Sequence, residues 1–80
     1  MGFTEADVQV LFSTYKAAFS GTILRYLNGN MVSCERILSS ALFQMKKEKA
    51  EYKSEQCTGY VWMLRIVMLQ INAFQDQQQH

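Results

Sequence analysis

Apolar residues recur at helical spacing along the first third of the chain. Val8, Phe12, Tyr15, Phe19, Ile23 and Tyr26 stand three or four residues apart, which places them on one face of a helix of about 23 residues. Thr4 precedes this run and Asp7 follows it three residues on, an approximate capping box that starts the helix at Glu5. Ser13, Ala17 and Gly21 line another side of the same helix, flanked by Val10 and Leu24. Small residues four apart either admit a second helix at close range or are simply tolerated on a solvated face. Asn28-Gly29-Asn30 ends the helix, because Gly and Asn accept the left-handed conformation that turns a chain.

A second apolar seam follows at heptad spacing: Met31, Cys34, Leu38, Ala41, Met45 and Tyr52, widened by Ile37, Leu42 and Phe43. It predicts a second helix that packs back on the first. Its cap is Asn30 or Ser33; the second choice is supported by Val32 and Ile37, which occupy the N′ and N4 positions of a hydrophobic staple.

In residues 46–56, KKEKAEYKSEQ, the apolar pattern stops while helix propensity persists. Lys46, Lys49 and Lys53 form one ridge, and Glu48, Glu51 and Glu55 another about 200° away. The plain reading is a solvated helix end with Lys47 and Glu51 as an i,i+4 pair worth a few tenths of a kcal/mol. The sharper one is a self-complementary strip that meets a two-fold mate. Ser54 as a cap and Gly59 as a kink put the second bend between residues 53 and 59. The competing arrangement is one continuous helix over 31–75, since the heptad count carries through the polar stretch onto Trp62, Ile66, Leu69 and Ala73.

The most apolar stretch, YVWMLRIVMLQINAF at 60–74, is interrupted by Arg65, Gln70 and Asn72. A membrane span needs about 20 apolar residues, so no span is expected. Heptad counting gives two seams. Cys57, Tyr60, Leu64, Val67, Ile71 and Phe74 form one, with Leu64, Val67 and Ile71 assigned to the core. Trp62, Ile66, Leu69 and Ala73 form the other, with Arg65 and Asn72 on the strip between. Left in water, Trp62, Ile66 and Leu69 would expose roughly 400 Å² of apolar side chain, about 10 kcal/mol of unrealised burial at ~25 cal/mol per Å². The second seam, with Arg65, is therefore the expected interface of a homodimer; the alternative is a three-helix bundle that wraps both faces within one chain.

Composition narrows the classes. Hydrophobic residues make up 49% of the 80 and charged residues 19%, with no proline, which is the make-up of a folded helical protein. The net charge of +1 does not call for nucleic acid. A weak nucleic-acid reading rests on Lys46, Lys49 and Lys53, with Lys47, Arg25 and Arg36 in support. The interleaved glutamates count against it.

Catalytic and metal motifs are missing. The single histidine is His80, and there is no CxxC, HExxH, GxSxG or glycine-rich phosphate loop, so no catalytic residue, cofactor or metal ligand is assigned. Cys34 and Cys57 lie at opposite ends of a folded-back helix about 30 Å long, too far apart to bridge within one chain. MGFTEADVQV carries no basic segment followed by an apolar one, and Ala6 stands where a myristoylation signal requires Ser or Thr, so a cytoplasmic setting is expected.

The sequence thus predicts an all-α fold, a helical hairpin plus a C-terminal helix in a dimeric three-helix bundle. One domain covers residues 1–75, and a disordered polar tail covers 76–80. The expected function is non-enzymatic: a regulator, inhibitor or adaptor that binds another protein, and itself, through an apolar helix face. A subunit or co-chaperone stable only within a larger assembly is the alternative.

Overall fold

A capping box opens the first helix. In the computed structural model, which describes residues 4–48 and 58–78, the Asp7 backbone N–H donates to Thr4 Oγ1 at 3.2 Å and the Thr4 N–H donates to Asp7 Oδ2 at 3.1 Å. Two orphan donors of helix α1 (Glu5–Tyr26) are satisfied reciprocally. Glu5 and Asp7 in the first turn and Arg25 in the last complement its dipole.

The helix closes where Asn28 and Gly29 take φ of 54° and 81°. The Gly29 N–H reaches back to the Leu24 carbonyl at 2.8 Å, the 6→1 bond of a Schellman ending. Helix α2 (Met31–Glu48) starts at once. Its cap is Asn30, whose Oδ1 accepts the Ser33 N–H at 3.0 Å. The Ser33 alternative and its staple do not form: Val32 is 73% exposed while Ile37 is buried, so the two cannot meet across a first turn. Helix α3 (Gly59–Gln78) is capped by Thr58, whose Oγ1 accepts the Val61 N–H at 3.2 Å. Ser54, the cap expected from sequence, lies outside the described residues, as do Cys57, Tyr52 and most of the lysine and glutamate ridges.

Each helix touches the other two. Ser20 of α1 lies beside Cys34 of α2, making an antiparallel hairpin. Glu48 of α2 reaches Arg65 of α3, while Ile37 shares a cleft with Phe74, so α3 runs antiparallel to α2. One continuous helix over 31–75 is thereby overturned, because a rod cannot bring Ile37 to Phe74. The result is a three-helix bundle, and all regular structure among the described residues is helical. Helix α3 also runs through Gln75, Asp76, Gln77 and Gln78, into the stretch assigned from sequence to a disordered tail.

The core draws on every helix: Val8, Phe12, Phe19 and Ile23 from α1, Cys34, Ile37, Leu38, Ala41 and Met45 from α2, and Trp62, Met63, Ile66, Val67 and Ile71 from α3. The predicted face of α1 is the buried one, fraying only at Tyr26, which is half exposed beside the turn. The seam of α2 holds except at its edges. Met31 is exposed at the turn, and Phe43 is 68% exposed because two residues past Ala41 is a rotation of about 200°, away from the core. Gly59 sits where α3 meets α1: a Cβ there would run into Leu11 Cδ1 and Cγ, so the absence of a side chain sets how closely the two helices approach. Gly21, read as part of a small-residue ridge, has nothing near its Cβ direction, and Ser13 and Ala17 are exposed with it.

Candidate functional site

The residues assigned from sequence to an interface divide in two. Trp62 and Ile66 are 2% and 1% exposed, inside the chain's own core, whereas Leu69 is 58% exposed and Ala73 and Arg65 also face outward. Trp62 and Ile66 are therefore core residues. Met63 beside them is fully buried as well. On a helical wheel Met63 falls midway between the two heptad seams and joins them into one face about 180° wide, from Trp62 round to Ile71. Heptad counting assigns Met63 to neither seam, which made the seams look separate. A face that wide packs on two neighbours at once. Its Tyr60 edge meets α1 at Tyr15 and Phe19, and α2 is met at Arg65, which reaches Glu48, and at Phe74, which shares a cleft with Ile37.

The α1 side is fastened by rings. Tyr60 stacks on Phe19 with centroids 4.9 Å apart and meets Tyr15 edge-on at 5.4 Å, geometries that add to area burial. On the α2 side, Arg65 Nη2 lies 3.9 Å from Glu48 Oε2. That oxygen is buried and makes no hydrogen bond, so the ion pair is its compensation. The Arg65 side chain remains 63% exposed, which keeps the pair's contribution small.

What remains on the outside of α3 is a strip of Val61, Arg65, Leu69 and Ala73, each four residues on from the last, with Asn72 and Asp76 beside it. Val61 is 49% exposed. Met68, half-buried, borders the strip. Next to Ala73 a cleft of about 170 Å³ opens between α2 and α3, lined by Arg36, Ile37, Ser40, Gln70 and Phe74 among others. The outward face of α3 therefore offers apolar contact at Val61 and Leu69, one cation at Arg65 and one anion at Asp76.

The other candidates are placed as follows. Cys34 is a buried free thiol, with Sγ 3.5 Å from Ser20 Oγ, the setting of a small core hydrophobe. Of the lysines considered for nucleic acid, Lys46 is half-buried on α2, while Lys49 and Lys53 lie outside the described residues. Among the described residues no group of three or more His, Cys, Asp and Glu side chains is arranged to hold a metal ion, and no helix is long and apolar enough to cross a membrane. Compared with known proteins, the chain matches no family model, no curated protein and no solved structure.

Proposed function

We propose that this chain is a non-enzymatic protein-interaction module whose working surface is the outer face of α3. One observation carries the reading. After α3 has covered both its neighbours, it still presents Leu69 at 58% and Val61 at 49% exposure, two turns apart on one strip. Single exposed apolar residues are ordinary on a protein surface, but an aligned pair flanked by an arginine is what recognition of a helix face uses. The strip is backed by core on its whole inner side, so it is rigid and loses little entropy when a partner binds.

Affinity capture from the native host tests this, with the wild-type chain and Leu69→Asp as paired baits. Leu69 is exposed, so the substitution leaves the helical circular dichroism signal intact. A protein retained by the wild type and lost with Leu69→Asp is the expected result. Equal recovery by both baits removes the outer face of α3 from the function.

A further inference from the structure

We infer that the outer face of α3 takes a second copy of this chain, in an antiparallel two-fold pairing that sets each Arg65 against the mate's Asp76. The inference rests on the reading of that face as an interaction surface and adds its occupant and register.

Arg65 and Asp76 are the charged residues of the outward strip, and they are eleven residues apart. Eleven residues is just over three turns, so the two lie within about 20° of each other around the helix and about 16 Å apart along it. A two-fold axis perpendicular to a helix exchanges positions equidistant from its centre. With the centre beside Gln70 and Ile71, Arg65 of each copy faces Asp76 of the other, and Leu69 faces Asn72. The middle of the contact then holds Leu69 and Asn72 from both copies, Met68 and Ala73 lie on its opposite flanks about 140° apart, and each end holds one ion pair. Parallel stacking of the same strip would instead put Arg65 beside Arg65 and Asp76 beside Asp76. The charge pattern therefore favours one orientation and penalises the other, which is how rim charges act: they fix register more than they add affinity.

The apolar part is small now that Trp62 and Ile66 are buried. A strip about 16 residues long is roughly 24 Å by 10 Å, or about 480 Å² over both copies, well below the area of a stable specific interface and in the range of a weak, transient contact. The pairing is thus reversible and concentration-dependent.

Charge reversal by mixing tests it. In Arg65→Glu alone, the introduced carboxylate meets the mate's Asp76, anion against anion. In Asp76→Arg alone, the introduced guanidinium meets the mate's Arg65, cation against cation. Mixed one to one, the two variants form a heterodimer in which both ends are again opposite in sign. Sedimentation equilibrium from about 10 μM to about 1 mM covers the range such a small contact requires. The expected result is a wild-type dimer, about tenfold weaker self-association of each variant, and wild-type strength in the mixture. Asp76→Arg places a cation in the last turn of α3, where the dipole favours it. Arg65→Glu sets a second carboxylate near Glu48, so Arg65→Glu with Glu48→Gln replaces it if its melting temperature falls. A wild-type dimer whose variants are not rescued by mixing overturns the register and leaves the interaction surface standing. A wild-type chain still monomeric at the top of the range overturns the second copy as occupant, and the capture experiment then decides the surface by itself.

Discussion

Whether a β-carbon fits at a glycine reports how tightly the helices approach there. Gly21 lies inside α1 with open space where its Cβ would go. Gly21→Ala should stabilise the chain by about 0.5–1 kcal/mol, since alanine loses less backbone entropy on entering a helix. For a domain of this size that is a rise of roughly 2–8 °C in melting temperature. Gly59→Ala should do the opposite, because the added carbon meets Leu11 Cδ1 and Cγ. The expected cost is about 1 kcal/mol, the low end for overpacking, since a leucine side chain can shift. In a Leu11→Ala background the cost should shrink, which is the coupling expected of residues in contact. Circular dichroism melts of the four variants check this. A Gly59→Ala chain as stabilised as Gly21→Ala would mean that the first turn of α3 does not press on α1.

At the scale of the element, each helix start is set by one side chain. Asn30 Oδ1 holds the first turn of α2, so Asn30→Ala should cost about 1 kcal/mol, and Ser33→Ala less. A larger loss at Ser33 would return the cap to the position the staple pattern suggested. Helix α3 offers a sharper contrast between residues three apart. Ile66→Ala should cost about 2–5 kcal/mol as a buried truncation, while Leu69→Ala should stay within about 0.5 kcal/mol as a surface change. Chemical denaturation of the two variants decides it, and similar losses at both would mean that Leu69 is also covered.

Local signals were legible where one residue type has one use. Thr4 with Asp7, and Asn28 with Gly29, mark their boundaries from sequence because a capping box and a left-handed ending need those chemistries at those offsets. The inward face of α1 was legible because a single period runs through it. The face of α3 was not, because its neighbours are on two sides and nothing in a heptad count says that Met63 bridges them. The cap of α2 was ambiguous because Asn30 and Ser33 are both good cap residues, and only the exposure of Val32 separates them. Of the predicted interface, Leu69, Ala73 and Arg65 are exposed while Trp62 and Ile66 are core; Trp62, Ile66, Leu69 and Ala73 share one seam within about 60° of the helix, so position along α3 separates them, which a heptad count does not register.

For the whole molecule the placement of Trp62 has the widest consequence. A chain of 80 residues buries somewhat over ~60% of its unfolded surface, a marginal amount for a lone core. On that ground Trp62 is expected against a second copy. In the structure the chain covers it, at 2% exposure, with Ile66 and Met63 beside it in one cluster drawn from all three helices. Folding and association are then separable, and the single tryptophan reports only the first. Its emission should be shifted to the blue and shielded from iodide, and both properties should be lost in the same cooperative transition that removes the helical signal. Diluting the native protein through any range where sedimentation shows its mass falling should leave the emission unchanged, because Trp62 is already covered within one chain. Emission that moves to the red in step with the loss of mass would put Trp62 at the contact between copies, and would mean that the bundle is completed only by association.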